Sequence, residues 1–262
     1  MNKTPPASDE SATNETKQAT QPPLWNEYIR TFIYAILLAV VFRSFVFEPF
    51  HIPSGSMKET LLVGDYLFVS KYSYGYSRYS FPYGIDWFDG RVLSSARPKR
   101  GDIVVFRPTS QPRIDFIKRI VGLPGDKIQV LDGIVYINDL PVSRVRDGDF
   151  SDILPDGTIK KIPRYRETLD NGVSYAVLEE TTQGLLDDTY VYTVPEKNYF
   201  LMGDNRDNSA DSREMSMVGF VPEENIVGRA ELVLFSIDDR TSMWKIWDWF
   251  WALRTERLLK DL

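Results

Sequence analysis

The chain has 262 residues, a net charge of −6, one histidine and no cysteine. The missing cysteines exclude disulfides and thiolate metal sites, and with a single histidine they argue against zinc. The acidic balance argues against a general nucleic-acid binder, while 43% hydrophobic residues are enough for a sizeable core.

The N-terminus predicts a tail and then an anchor. Residues 1–24 are rich in Ser, Thr, Asn, Gln and Pro, so we expect disorder. Ile29–Phe47 is a 19-residue, largely apolar run, and at about 1.5 Å per residue a helix of that length nearly crosses a hydrocarbon core of roughly 30 Å. We predict one transmembrane helix over 25–47. A cleavable signal peptide normally has a shorter basic leader, whereas a buried core helix stays open because the uncharged run Thr31–Phe42 is short.

The rest of the chain predicts a mainly β fold, because short strand-like runs alternate with Gly, Pro and Asp turns. The predicted strands are Asp65–Ser70, Asp102–Arg107, Phe116–Val121 and a hairpin over Lys127–Asp139 that turns at Asp132–Gly133. We assign 48–139 and 196–240 to a core. The more polar residues 140–195 are interpreted as a β-rich insertion.

The C-terminal residues 241–262 predict an amphipathic aromatic helix. Trp244, Trp247 and Trp251 lie on one broad helical face. Two interpretations stay open for this face: it packs on the protein's own core, or it lies in a membrane interface, where tryptophan is favoured.

Ser56 is the candidate nucleophile, in the loop Pro53–Ser56. Taken alone, this loop is an ordinary turn, because Pro, Gly and Ser are common turn residues. Functionally, Gly55 would let a substrate approach the backbone, and the Ser56 amide and Ser54 hydroxyl would face a developing oxyanion. His51 is bracketed by apolar residues and is expected to face solvent, so a lysine is the better candidate for the base.

Lys118 is that candidate base. On a strand its side chain shares a face with Phe116 and Ile120, and burial on an apolar face lowers the pKa of a lysine. A neutral amine can accept the proton of a serine hydroxyl. The alternative is a solvated lysine on an edge strand, which Lys118 alone would favour.

A third polar cluster, Gly203–Arg213, follows an apolar strand-like run, where site-building loops often lie. The alternative is a charged surface turn. Ser242–Lys245 matches the Ser-x-x-Lys pattern of penicillin-binding enzymes, but their companion motifs S-D-N and K-T-G are absent from the sequence, so we attribute this match to chance.

Taken together and in order, these blocks resemble the bacterial type I signal peptidases. The blocks are the apolar span, EPFHIPSGSMKETLLVGDYLFVSKYSYG at 48–75, RGDIVVFRP at 100–108, DFIKRIVGLPGDKI at 115–128, and MGDNRDNSADSR at 202–213 followed by VGFVPEENIVGRA. They cover about half of the chain. The resemblance implies a signal-peptidase-like antiparallel β catalytic core.

The resemblance also implies residue roles. Ser56 would be the nucleophile and Lys118 the general base, with the Ser56 amide and the Ser54 hydroxyl as the oxyanion hole. Four residues would support the dyad: Ser209 by a hydrogen bond to Lys118, Asp211 and Arg213 as an ion pair, and Gly203 by leaving room for the lysine. Shallow apolar pockets for small side chains would be lined by Phe50, Ile52, Pro53, Met57, Leu61, Phe116 and Ile117.

The implied activity is removal of signal peptides from exported preproteins after Ala-x-Ala sites, through an acyl-enzyme and without metal or cofactor. The resemblance places the protein in the bacterial inner (plasma) membrane as a single-pass protein, with its catalytic domain on the extracytoplasmic side. Its partners would be preproteins, the lipid bilayer and a nearby secretion translocon, and no nucleic acid. Two residues depart from the family pattern: Glu59 stands where proline is usual and His51 where an uncharged polar residue is common.

Two other classes are weighed against this one. A self-cleaving regulator related to SOS repressors needs a DNA-binding domain and an Ala-Gly cleavage site, but the first 30 residues are too short and polar, and the sequence contains no Ala-Gly pair. A non-enzymatic, membrane-tethered binding protein would not need Ser56 and Lys118 to be reactive.

Overall fold

The computed structural model describes residues 24–45, 47–81, 90–93, 96–154, 156–238 and 252–262. By contacts the chain divides into two units, Met1–Val40 and Val41–Leu262. The predicted disordered tail lies outside the described residues except for Leu24.

The one long helix of the described chain, α1, covers Leu24–Phe45 and so confirms a helix over the predicted apolar run. Its large apolar side chains from Trp25 to Val41 are exposed. Within the described residues, no helix is both long and apolar enough to cross a membrane. The predicted transmembrane anchor over 25–47 is therefore not confirmed.

The strands follow in chain order: β1 Phe47–His51, β2 Asp65–Ser70, β3 Tyr76–Ser77, β4 Arg91–Val92, β5 Ile103–Phe106, β6 Phe116–Gly122, β7 Lys127–Leu131, β8 Ile134–Ile137, β9 Leu140–Pro141, β10 Ser143–Ile153, β11 Ile159–Thr168, β12 Ser174–Leu178, β13 Tyr192–Thr193, β14 Asn198–Met202, β15 Val221–Pro222, β16 Ile226–Ser236 and β17 Lys260–Asp261. Short 3-10 turns lie at Arg78–Ser80, Arg206–Asn208, Glu223–Asn225 and Thr255–Arg257. The described chain is thus mainly β.

The central sheet is antiparallel and has the strand order β1-β2-β16-β5-β6-β14-β15, with β17 beside β16. One core cluster fills the space between β1, β2, β5 and β16, and Met57, Leu61 and Leu67 lie in it with no exposed surface. All of β6 after Phe116 is buried, on both faces of the strand. Any polar side chain on β6 must therefore find its partners inside the protein.

The strands predicted around the candidate residues are confirmed. β2 has the predicted bounds, and β5 and β6 match their predictions to within one residue at each end. The hairpin β7–β8 turns at Asp132–Gly133, where both residues have positive φ (48° and 74°), as a type I′ turn requires.

The predicted insertion, 140–195, contains a separate sheet of strand order β10-β11-β12. Its first and last strands, β9 and β13, instead extend the β7–β8 hairpin into a four-stranded sheet. The insertion therefore starts and ends within a sheet of the core.

Most of the predicted C-terminal helix, residues 241–251, lies outside the described residues, so that part stays a prediction. Ala252 is helical, but the described chain after it is not an α-helix, and there the prediction is wrong. Leu253 bridges to Ile237, and β17 pairs with β16 (Val233 with Lys260). The physical reason is that β5 pairs with β16 only as far as Arg229. Beyond that residue, the backbone groups of β16 on the same side pair with Lys260 and Asp261 instead.

Candidate active site

The loop that carries Ser56 is held by the core on both sides. Before it, Ile52 extends the antiparallel ladder, because its amide donates to Asp65 O (2.9 Å) and its carbonyl accepts from Gly64 N (3.0 Å). After it, the amide of Leu61 donates to Met57 O (2.8 Å), and both side chains are fully buried. The nucleophile candidate thus lies on a short turn between two fixed points.

Lys118 lies on β6 opposite Val104 of β5 and is only 3% exposed. Its Nζ donates to Ser56 Oγ over 2.6 Å and to Ile117 O over 2.9 Å. Burial lowers the pKa of Lys118 to about 8, against the opposing effect of Asp211 and Asp204. The alternative of a solvated lysine on an edge strand is therefore wrong.

Asp211 and Arg213 form the expected ion pair. Arg213 donates to both oxygens of Asp211 at 2.9 Å, and the amide of Gly203 donates to Asp211 Oδ2 at 3.0 Å. Burial opposes the ionisation of Asp211, but Arg213 and the Gly203 amide outweigh it and lower the pKa of this carboxyl. A fixed carboxylate therefore stands near Lys118.

One expectation about this segment needs correction. Ser209 is buried and its hydroxyl helps to lower the pKa of Asp211, but the described structure has no hydrogen bond from it to Lys118, whose Nζ donates to Ser56 Oγ and Ile117 O. A Cβ on Gly203 would lie 2.5 Å from Ser209 Cβ and 2.6 Å from the Ser56 carbonyl oxygen. Ser209 and the Ser56 backbone thus approach Gly203 too closely for a side chain at this position. That Gly203 also leaves room for the lysine stays a prediction.

Three further residues hold the site together, and the sequence analysis did not single them out. Asn205 donates from its backbone to Ser56 O (3.1 Å) and from its side chain to Gly55 O (3.0 Å). Arg119, next to Lys118, makes a two-bond ion pair with Asp204 at 2.9 and 2.7 Å. The available signal was adjacency in sequence, because Arg119 follows Lys118 in DFIKR and Asp204 and Asn205 follow Gly203 in GDN.

Glu59, which stands where the family pattern has proline, has a φ of +31°. Proline cannot adopt this value, because its ring holds φ near −65°. The Glu59 carboxylate pairs with Arg164 of β11 at 3.3 Å, and Lys58 pairs with Asp152 of β10 at 2.7 Å. These two ion pairs therefore connect the serine loop, the segment between Ile52 and Leu61, to the β10–β11 hairpin.

A cleft of about 500 Å³ opens on the Ser56–Lys118 pair. It is lined by Phe50, His51, Ile52, Pro53, Ser54, Gly55, Ser56, Val105, Ile114, Asp115, Phe116, Ile117, Lys118, Asn208 and Ala210. Two predicted pocket residues are missing from this lining. Met57 and Leu61 point into the core instead, with no exposed surface, so their assignment to the substrate pockets is wrong.

His51 also lies at this cleft, at the end of β1. Its side chain is exposed, as expected, and its ring packs 4.9 Å from the ring of Tyr66. Lys118, and not His51, contacts the Ser56 hydroxyl.

Backbone edges flank the cleft. In the described sheet, β14 pairs with β6 only from Arg119 onward, so Phe116–Lys118 have a strand partner on the β5 side alone. On the opposite wall, β1 is the terminal strand of that sheet. An extended peptide lying between these edges would find backbone donors and acceptors on both sides.

Comparison with known proteins places this chain in a family. The family model "Signal peptidase, peptidase S26" matches residues 25–235. The signal peptidase I of Rickettsia typhi is 41% identical over 251 residues (88% of this chain and 92% of the relative), and that of Rickettsia canadensis is 39% identical over 270 residues (95% and 97%).

Among solved structures, the signal peptidase I of Enterococcus faecalis is 29% identical, and the match covers 52% of this chain and 98% of that one. Its TM-score is 0.29, too low to support an argument about the fold. The family model and the curated relatives, by contrast, cover most of the chain. The chain therefore belongs to the signal peptidase family S26 and is a serine peptidase.

Proposed function

We propose that this protein is a membrane-anchored endopeptidase that removes N-terminal signal peptides from exported preproteins, with Ser56 as nucleophile and Lys118 as general base. The observation that carries the proposal is the 2.6 Å contact between Lys118 Nζ and Ser56 Oγ, inside a site where the lysine is 3% exposed. A serine hydroxyl is a weak nucleophile at its ordinary pKa, and a neutral lysine amine at hydrogen-bond distance activates it.

The reaction follows from this contact. The lone pair of a neutral Lys118 takes the hydroxyl proton as Ser56 Oγ attacks the scissile carbonyl, which gives a tetrahedral oxyanion and a lysine ammonium. The ammonium then protonates the departing amine, and the acyl-enzyme forms. In the second half, Lys118 removes a proton from water, the hydroxide attacks the ester, and the proton returns to Ser56 Oγ.

The oxyanion would be bound by the Ser56 amide and the Ser54 hydroxyl. Ser54 is exposed and lines the same cleft as Ser56, so its hydroxyl can turn toward a bound carbonyl. Donors that stand ready where charge develops stabilise the transition state more than the ground state.

Ser209 would assist Lys118 once a substrate moves the loop, because its hydroxyl is buried beside Gly203 and the Asp211 carboxylate. Asp211, Arg213 and Gly203 would hold the wall on which Ser209 lies.

Cleavage after small-x-small (Ala-x-Ala) sites would come from the cleft walls. Phe50, Ile52, Pro53, Phe116 and Ile117 line the cleft. These apolar side chains would leave shallow space beside Ser56, which accepts a methyl group and rejects larger side chains.

Membrane attachment would come from α1. Its exposed apolar side chains form no core of their own, and a large exposed apolar surface commonly marks a membrane or protein contact. We propose a single-pass anchor in the inner (plasma) membrane with the catalytic unit outside the cytoplasm, close to the translocon. Residues 48–139 and 196–240 would form the catalytic core around the insertion at 140–195.

The test uses the full chain in detergent micelles and a preprotein with an Ala-x-Ala site, beside Ser56→Ala and Lys118→Ala. Cleavage at that site by the wild type and by neither variant is the expected result. Cleavage that survives Lys118→Ala would mean another base, with His51→Asn as the next variant. No cleavage by folded wild type would contradict the proposed function.

A further inference from the structure

The insertion contributes one buried carboxylate to the wall of the active site. Glu167, near the end of β11, is 1% exposed, and its carboxylate accepts two hydrogen bonds from Arg206 at 2.7 and 2.5 Å. The hydroxyl of Tyr175 on β12 donates to the same carboxylate at 3.0 Å. Arg206 itself is 2% exposed and lies in the 3-10 turn just before Ser209.

Arg206 connects this carboxylate to Gly203 by two routes. Its Nε donates directly to Gly203 O at 3.2 Å. Its backbone carbonyl accepts from Arg213 Nη2 at 2.6 Å, and Arg213 holds Asp211, which accepts from Gly203 N. Both polar backbone groups of Gly203 are therefore fixed by the network that Glu167 anchors.

Gly203 matters because of what it touches. A Cβ there would lie 2.6 Å from the Ser56 carbonyl oxygen, so the Gly203 backbone and the nucleophile loop are in direct contact. The same network fixes Asp211, whose charge acts on Lys118. A shift of the Gly203 backbone would therefore disturb both members of the Ser56–Lys118 pair.

A buried ion pair of this kind adds little net stability, because the cost of desolvating two charges offsets their attraction. What it supplies is a fixed geometry, since two parallel bonds define both the distance and the orientation of the guanidinium. Arg100–Asp126 is a comparable buried pair, at 3.0 Å, and the Asp126 carboxylate otherwise accepts from Leu123 N and Asn138 Nδ2 at the turn between β6 and β7. It offers a matched control outside the Gly203–Arg213 network.

We propose that Glu167 is a positioning residue for the Ser56–Lys118 site, acting through Arg206 and Gly203. The insertion is then a working part of the peptidase and not only a variable appendage. This inference rests on the proposed function, because its main measurement is the cleavage rate.

The experiment compares wild type, Glu167→Gln, the double variant Glu167→Gln with Arg206→Gln, and Asp126→Asn as control. Each is assayed for kcat and KM on the Ala-x-Ala preprotein at a temperature well below every melting point. The pH dependence of kcat/KM gives the acid limb, the part of the profile in which activity falls as pH falls. Thermal unfolding is measured separately. We expect Glu167→Gln to lower kcat at least about tenfold with KM within about twofold, the pattern of a misaligned reacting group.

The acid limb should move to lower pH by ~0.5 unit, because a displaced Asp211 stabilises the lysine ammonium less. The double variant should regain thermal stability, since no buried charge is left unpaired, but not kcat. Asp126→Asn should keep wild-type kcat, because its pair with Arg100 lies at the β6–β7 turn.

The proposal is overturned if Glu167→Gln keeps wild-type kcat and acid limb, or if the double variant restores kcat together with stability, as a purely structural pair would. If Glu167→Gln does not fold, Glu167→Asp replaces it. This variant keeps the negative charge, but its shorter side chain cannot reach Arg206 in the same geometry. Wild-type kcat in Glu167→Asp would overturn the proposal equally. Failure of the wild type to cleave would instead contradict the proposed function, so the two failures are distinguishable.

Discussion

The pH dependence of cleavage tests the lysine base most directly. Burial takes the pKa of Lys118 from an ordinary 10.5 to about 8. At pH 7 roughly one molecule in ten then has the neutral amine, against roughly one in three thousand for an unperturbed lysine. We therefore expect kcat/KM to rise roughly tenfold per pH unit below pH 7 and to level off above about pH 8.

The same shift predicts a change in stability with a definite sign. Between pH 8 and 10.5 the unfolded chain keeps the Lys118 proton that the folded protein has released. The free energy of unfolding should therefore rise with pH across that window, by up to about 3 kcal/mol from this group, and stay lowered below pH 8. Lys118→Met should abolish cleavage and yet raise the stability at pH 7, because it removes a charge that burial disfavours.

The assay is steady-state cleavage at constant ionic strength from pH 5.5 to 9.5, with denaturant unfolding on the same samples. Lys58→Met is the matched control, since Lys58 lies two residues after the nucleophile but pairs with Asp152 at 2.7 Å. Its acid limb should keep the wild-type midpoint. An acid limb that persists in Lys118→Met, or one that disappears in His51→Asn, would refute the reasoning.

Three further predictions concern the serine loop. Gly203→Ala should lower kcat at least about tenfold, because the new methyl would lie 2.6 Å from the Ser56 carbonyl oxygen; full activity would show that the close approach is not needed. Met57→Ala should cost about 2–5 kcal/mol of unfolding free energy with KM nearly unchanged, since Met57 is fully buried in the core; a raised KM at normal stability would return Met57 to the substrate pocket. Ser54→Ala should lower kcat about 10²–10³-fold with little change in KM, and an unchanged kcat would remove Ser54 from the oxyanion hole.

Local patterns predicted the elements that carry the dyad. Strands β2, β5 and β6 follow from runs of branched and aromatic residues, and the Asp132–Gly133 turn follows from its sequence, because each of these signals is contained in a few neighbouring residues. The pairing of Ser56 with Lys118 was reached differently. It came from the missing cysteines, the poorly placed histidine and the resemblance to a family, and the 2.6 Å contact supports it.

The errors share one physical origin, which is that tertiary contacts decide them. Met57 follows the nucleophile in sequence, yet its side chain turns into the core, and no periodicity exists in a turn to reveal this. Likewise, the helical pattern of the last residues gave no sign that Lys260–Asp261 would pair with β16 as a strand. Asn205 was passed over because its two bonds to the serine loop join residues that are distant in sequence.

The arrangement of buried charges explains why Lys118 can be the base. The two carboxylates whose charge acts on Lys118 are buried, and each is paired with an arginine: Asp211 with Arg213, and Asp204 with Arg119. A carboxylate without an arginine would take Lys118 as its own partner and would raise the lysine's pKa. Because both are already paired, the lysine is buried without a dedicated counter-ion, and burial dominates its pKa.

This pairing also separates two tasks that one lysine could not perform together. The arginines keep their charge at every accessible pH, since a guanidinium does not lose its proton in proteins, and so they hold the geometry of the wall. Lys118 is thereby left to exchange its proton with Ser56, because a neutral amine can still donate to the Ile117 carbonyl. A lysine that also held the fold together would have its charged form stabilised, and a base must avoid that.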